Sequence, residues 1–417
     1  MSKVKSIPKE DFKYFVEIAR NAYPRMKASS VEDREKTAER FAKIQEENEN
    51  QNFYGLYRDN KLLGGMLHYD FVMNYDSQII DAGGVGFVGV EFLHKKEKVA
   101  KELITFYLNH YKEREIYMAV LYPFRPDFYK KMGFGYGTKM NQYRISPKYL
   151  PKGESKNNVF FAGEKDKIEL LDCYNRCMKK THGMIKKNLK DIENIFKNSE
   201  NRVIAYRTNN KIEGYLIFNF KYNDNDSFLE NDLNVSEFIC EKKEALSEIL
   251  TFLNTQSDQI RYIILNTQDE FFHHLLSNPV NGTNNIIPSV YHESNVQGVG
   301  LMYRVIDIRG IFKVLGEHNF GNESCKIKLN IEDSFISEND GSYIIDFKNG
   351  KANLSEDEDF QVEVSMDISD FSSLLMGVIN FRNLCNYGLV RISDDSYISK
   401  INKIFHIEEK PKCTTAF

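Results

Sequence analysis

Residues 203–220, VIAYRTNNKIEGYLIFNF, repeat in faded form residues 54–71, YGLYRDNKLLGGMLHYDF. Further on, residues 241–265, EKKEALSEILTFLNTQSDQIRYIIL, echo residues 96–121, KEKVAKELITFYLNHYKEREIYMAVL, with apolar positions matched in both the helix-like and the strand-like run. The offset is far too long for a solenoid, whose period is roughly 20–50 residues. Two copies of one α/β domain explain it better; a chance likeness between two amphipathic segments is the alternative. A chain of 417 residues is also too long for one core, so two or three domains are expected.

The first 150 residues predict helix, helix, strand hairpin, strand, helix, strand, short helix and strand. Asp11 to Tyr23 and Val31 to Glu47 carry helical spacing on either side of Pro24. Phe53–Arg58 and Leu62–Asn74 flank the turn signal Asp59-Asn60. Ile79–Leu93 predicts a strand, and the charged run His94-Lys95-Lys96-Glu97-Lys98 opens a helix reaching about Glu113. Ile116–Leu121 follows as a buried strand, Pro126–Met132 as a short helix, and Phe134–Ile145 as a strand. Pro147 and Pro151 mark a boundary, giving domains at 1–150, 151–300 and 301–417. In the last, the alternating runs KIKLNI, GSYIIDF and FQVEVSMDI and helices at Asp370–Phe381 and Ser396–Phe405 predict an α+β module.

Composition excludes several functions. With 41% hydrophobic and 28% charged residues the chain is globular rather than disordered. A net charge of −4 gives no electrostatic reason for nucleic acid or an anionic membrane as partner, and weakly suits a cationic substrate. No apolar run approaches the roughly 20 residues that cross a bilayer, and MSKVKSIPKEDFKYF lacks a secretory apolar stretch. A cytoplasmic location is the default expectation. Cys173 and Cys177 share a helix face without two further ligands in evidence, so reduced core thiols, and no metal, are expected.

Two motifs carry chemistry. At the junction VGVEFLHKKEKVAKEL (88–103) a strand ends and a helix begins, where free backbone N–H groups and the positive helix end make an anion site. Lys95, Lys96 and Lys98 oppose the helix dipole there; a bound phosphate would give them a reason, and a solvated first turn is the bland alternative. Beside it, Gly84, Gly86 and Gly89 spell GxGxxG, but Val88, Val90 and Phe92 continue as strand beyond them. That placement argues for strand and bulge glycines rather than a dinucleotide fingerprint. The second motif, residues 121–134, leads from a buried strand to a short helix bearing Tyr129 and then to Gly133-Phe134. Aligning PDFYKK with DEFFHH sets Phe272 opposite Tyr129, so the second copy lacks the hydroxyl and the first carries the chemistry.

This order of motifs resembles the GNAT (Gcn5-related) acetyltransferase superfamily. Three regions closing on a module similar to a sterol carrier protein resemble, across essentially the whole chain, the Eis (enhanced intracellular survival) acetyltransferases. FYKKMGFGYG, NDGSY, DFSSLLMGVINF and the abrupt end PKCTTAF carry that resemblance. It implies two tandem GNAT-like domains, each a mixed sheet flanked by helices, and then a sterol-carrier-like α+β domain. It implies an N-acetyltransferase that moves acetyl from acetyl-CoA to a small-molecule amine of the aminoglycoside, polyamine or lysine type. Tyr129 would be the general acid on the departing thiolate, and the carboxylate of Phe417 the general base. Val88, Gly89 and Val90 would line the thioester, Phe124 would stand at the cofactor, and Lys95, Lys96, Glu97, Lys98, Val99, Ala100 and Lys101 would surround the pyrophosphate. The family pattern R-x-x-G-x-G/A is here Lys95 to Ala100, with Lys98 in place of a glycine that lets backbone approach phosphate. A hexamer is implied as well. The alternatives are a non-catalytic CoA or lipid binder and a Fem-type aminoacyl-transferase.

Overall fold

The computed structural model describes residues 2–26, 28–221 and 231–417. The chain divides into two compact units: Met1–Gly137 with Leu301–Lys410 and Ala416–Phe417, and Thr138–Gly300 with Pro411–Thr415.

In the first unit a seven-stranded sheet is built from β1 (Ser2–Ser6), β2 (Gln51–Arg58), β3 (Lys61–Tyr75), β4 (Gln78–Val90), β5 (Met118–Leu121), the later strand Met302–Val305, and β6 (Gly135–Tyr136), in that spatial order. Helices cover both faces. On one, α1 (Phe12–Ala22) buries Phe12, Phe15, Val16, Ile18 and Ala19, and packs with Phe41 of α2 (Val31–Glu47) over Phe53. A capping box starts α2: the Ser30 hydroxyl accepts the Asp33 amide at 3.0 Å, and the Asp33 carboxylate accepts the Ser30 amide at 3.2 Å. On the other face α3 (Val99–Glu113) buries Val99, Leu103, Ile104, Tyr107, Leu108 and Tyr111 at helical spacing.

The crossover through α3 makes β4 and β5 parallel, but they pair only at Gly83–Ala119, Gly84–Val120 and Val85–Leu121. Beyond Val85, β4 continues to Val90 with its β5-facing edge unpaired. On its other edge the register shifts between Gly65–Gly89 and Leu67–Gly86, where Phe87 takes φ +51°. This bulge bends the strand away from its neighbour. Gly84, Gly86 and Gly89 are thus strand and bulge positions, as their sequence context predicts.

The second unit has its own seven-stranded sheet, ordered 295–298, 140–145, 260–267, 231–240, 211–221, 202–208 and 159–161. The hairpin and parallel crossover of the first sheet recur in it. Phe272 is buried there, its ring 5.1 Å from that of Tyr143. Residues 325–392 add a five-stranded sheet to the first unit, with Cys325–Glu332 central and parallel to Val362–Asp367.

Three sequence expectations are corrected. The run Phe134–Ile145 is not one strand of the first sheet: Gly135–Tyr136 stays there, and Met140–Ile145 pairs antiparallel with Ile260–Thr267 in the second. Its place beside β5 is taken by Met302–Val305. Strand exchange of this kind leaves no local trace, because MNQYRI and MYRV are both short mixed segments that do not specify their partner. The charged run His94–Lys98 does not open the helix but precedes it: α3 begins at Val99, and Lys96 and Lys98 take left-handed backbone in the turn before it. The helix Asp370–Phe381 is two, Ile368–Leu375 and Phe381–Asn386; extended Asn380 interrupts it and caps the second, accepting the Asn383 amide at 2.8 Å.

Candidate active site

The splayed end of β4 opens onto a cavity of about 710 Å³ in the first unit. Its walls include Val88, Val90, Lys95, Lys96, Lys98, Val99, Ala100, Lys101 and Phe124 from the sequence-derived set. Asn21, Ala22, Tyr23, Phe92, His94, Arg125 and Phe128 complete it and were not singled out beforehand. Of these, Tyr23 is structurally the most informative. Its hydroxyl donates to the Val88 carbonyl at 3.2 Å, and burial pushes its phenol up to about 12. Only its position at the end of α1, ahead of Pro24, could have marked it, and the same position suits a packing tyrosine.

Two expected residues turn away from the wall. Gly89 pairs with Gly65 and faces α1, with Ile18 at 3.2 Å from where a Cβ would stand. Glu97 directs its carboxylate to Arg58 and to His94 Nδ1, each at 3.1 Å.

The loop between β4 and α3 meets the geometric needs of a phosphate site. Lys96 and Lys98 both adopt left-handed backbone, at φ +69° and +65°. Lys98 is the residue preceding α3, so a lysine holds the conformation for which a glycine is expected. The first amides of α3 have no intrahelical acceptor and face the loop. Lys95, Lys96, Lys98, Lys101 and Arg125 put five cationic side chains around the cavity. Lys95 also lies 3.8 Å above the Phe92 ring.

Tyr129 lies on α4 (Pro126–Lys130), which Pro126 opens at a position where a missing N–H costs nothing. It is 2% exposed and packs edge-on against Phe124 at 5.6 Å and Phe128 at 5.2 Å, both cavity residues. Its hydroxyl has no hydrogen-bond partner among the described residues. Burial, and secondarily the nearby Tyr23, holds its phenol above the ordinary value. The phenol is therefore protonated at neutral pH.

Phe417 ends the chain inside the same unit. Its ring lies 4.8 Å from Phe71, 5.1 Å from Tyr122 and 5.4 Å from Tyr69. Its carboxyl carbon is 3.5 Å from the point a Cβ on Gly86 would occupy, and the Tyr69 hydroxyl is equally near that point. The terminus thus lies within van der Waals reach of Gly86, the first residue of the unpaired edge of β4. Tyr23 raises both Tyr69 and Tyr129 electrostatically, as a secondary influence after burial, which sets these three phenols in one neighbourhood.

Among the described residues no group of three or more His, Cys, Asp and Glu side chains is placed to hold a metal ion. No helix among them is long and apolar enough to cross a membrane.

Comparison with known proteins agrees with this geometry. Two acetyltransferase (GNAT) domain families match residues 3–137 and 178–304, and a sterol carrier protein domain family matches residues 312–414. No curated protein matches the sequence significantly. Among solved structures, a GCN5-related N-acetyltransferase from Anabaena variabilis superposes with a TM-score of 0.82 at 18% identity, covering 100% of both chains. A probable N-acyltransferase from Enterococcus faecalis gives 0.80 at 17%, and Eis1 from Mycobacterium abscessus 0.77 at 15%, each also covering 100% of both chains. At these identities the likeness is one of fold. Residues 3–137 and 178–304 are therefore GNAT acetyltransferase domains and residues 312–414 a sterol carrier protein domain, an arrangement that shares the fold of Eis1 along the whole chain.

Proposed function

We propose that the first GNAT domain transfers acetyl from acetyl-CoA to a small-molecule amine by direct attack in a ternary complex. The acceptor is of the aminoglycoside, polyamine or lysine type. The observation that carries the proposal is the basic cavity at the splayed end of β4, with Tyr129 packed on its Phe124 and the chain terminus against Gly86 of the same strand.

Acetyl-CoA supplies an activated thioester. The loop from Lys95 to Lys101 would hold its pyrophosphate, with amides and cationic side chains on one anion. The unpaired edge of β4 from Gly86 to Val90 offers backbone groups to its pantetheine and carbonyl, as a strand would. Tyr129, which burial keeps protonated, delivers its proton to the sulfur as the C–S bond breaks and thiolate charge develops. The Phe417 carboxylate accepts the amine proton. A free α-carboxylate, with a pKa of about 3.5, is a weak base, so a partly buried setting among Tyr69, Phe71 and Tyr122 favours the role.

Lipid binding by the last domain is less favoured. Its sheet interior, among Leu329, Phe347, Val364 and Phe405, is filled by side chains and leaves a void of about 10 Å³, about one water probe. The second domain, with Phe272 in place of a phenol, is assigned a supporting role, and a hexamer remains part of the proposal by family likeness.

The test is CoA release from acetyl-CoA with a panel of amines, comparing the native terminus with a chain extended by three residues beyond Phe417. Extension is expected to cut turnover at least about a hundredfold, the low end of general-base contributions, with acetyl-CoA affinity unchanged. Equal turnover in both chains would remove Phe417 from the chemistry.

A further inference from the structure

Arg304 is 0% exposed, an unusual place for a guanidinium. It sits on the strand Met302–Val305, opposite Ala119 of β5. Nη2 donates to the Asp333 carboxylate at 2.6 Å, and Nη1 donates to the Met132 carbonyl at 2.5 Å. Nε has no hydrogen-bond partner among the described residues. Asp333 is fixed in turn: it accepts the amides of Phe335 and Ile336 at 3.1 and 3.0 Å and the Asn339 side-chain amide at 3.1 Å.

The target of Nη1 is the turn that closes the helix of Tyr129. The Tyr129 carbonyl accepts the amides of Met132 at 2.9 Å and Phe134 at 3.1 Å, so a shift at Met132 moves Tyr129 directly. Gly133 takes φ +81°, and a Cβ there would lie 1.3 Å from Arg304 Nη1. The turn and the guanidinium are therefore shaped to each other. The same helix is held a second time, where Lys130 bonds Ser369 at 3.0 Å and Asp370 at 2.9 Å. Asp333, Ser369 and Asp370 all belong to the sterol carrier region, residues 312–414. Phe335 of that region also receives Lys101 of α3 at 5.3 Å, and Ile336 enters the core under α3.

We propose that Arg304, anchored on Asp333, is a positioning residue for Tyr129, and that the sterol carrier domain acts as the brace of the acid helix. This rests on the assignment of Tyr129 as general acid. Removing one charge alone would strand the other in the core, so the test replaces both: Arg304→Met with Asp333→Asn, which retains an acceptor for the Phe335 and Ile336 amides.

Steady-state acetyl transfer and acetyl-CoA titration are measured for this double variant, for Arg304→Lys, for Tyr129→Phe and for the combination. Circular dichroism first establishes that each variant is folded. The double variant is expected to lose at least about tenfold in kcat, part of the 10²–10⁴ that a positioned acid supplies, with the acetyl-CoA dissociation constant within threefold of the parent. Arg304→Lys should recover part of the loss. In the Tyr129→Phe background the double substitution should cost less than twofold, because the phenol it positions is gone. An unchanged kcat in the folded double variant, or an equal loss with and without Tyr129, overturns the positioning role. A Tyr129→Phe chain of near-parental rate overturns the acid assignment instead, and with it the inference, by a separate measurement.

Discussion

His68 is the sharpest anomaly at the scale of the residue outside the active site. It is 2% exposed, ringed by Tyr54, Phe106, Tyr107, His110 and Tyr111, and neither ring nitrogen has a hydrogen-bond partner among the described residues. Burial, then His110 and Arg114, holds it well below the ordinary histidine value; burial and Arg114 lower His110 as well, with Asp70 and Glu113 opposing. The unfolded chain takes up a proton at about 6.5 that the folded chain refuses. Stability is therefore full above that pH and falls as pH drops below it, by up to about 1.4 kcal/mol per pH unit for one such group. Urea unfolding at pH 7.5 and 5.5 should show this loss, and His68→Phe should flatten it. An equal loss in His68→Phe would assign the acid sensitivity elsewhere. Tyr129, by contrast, was legible from its motif, whereas Tyr23 was not: its hydroxyl matters because β4 bends toward it, and that bend arises from a pairing far along the chain.

For the element, the junction of β4 and α3 shows what sequence can and cannot disclose. The charged run His94–Lys98 predicts the first turn of a helix but forms the turn ahead of it, whereas the apolar residues among Gly84, Gly86 and Gly89 predict the strand that is found. The splay itself depends on where β5 stops pairing, at Leu121, and on the bulge opposite Gly65 and Leu67. Those are long-range facts with no local signature. Lys98 is instructive because its side chain and its backbone have separable parts. Left-handed backbone costs a lysine roughly 1–2 kcal/mol, and a glycine there would give back roughly 0.5–1 kcal/mol in unfolded-state entropy. Lys98→Gly should then leave stability within about 1 kcal/mol of the parent. Loss of one partly exposed charge should weaken acetyl-CoA binding by roughly 0.5–1 kcal/mol, two- to fivefold, and make it less sensitive to salt. Calorimetric titration at 50 and 300 mM KCl, beside a thermal melt, checks both halves. Tighter binding by the glycine variant would mean that backbone approach, not the lysine charge, limits the site.

Across the whole molecule, the faded repeat foretold two sheets of one pattern but not the exchange between their strands. Met140–Ile145 follows the first domain in sequence and joins the second sheet, while Met302–Val305 follows the second and completes the first. Duplication left the apolar alternation in both places, so local pattern was indifferent to the partner. The strand delivered to the first sheet carries Arg304 to the turn that closes the helix of Tyr129, and the proposed brace of that helix depends on this exchange. The proposed division of labour between the copies rests on one atom, the phenol oxygen present at Tyr129 and absent at Phe272. The most direct test of that division compares the parent with Tyr129→Phe in acetyl-CoA turnover on an accepted amine, with acetyl-CoA affinity measured on the same samples. A loss of at least about a hundredfold in kcat with unchanged affinity is expected. Turnover within a few-fold of the parent would contradict the assignment of the chemistry to Tyr129 and the first domain's acid helix.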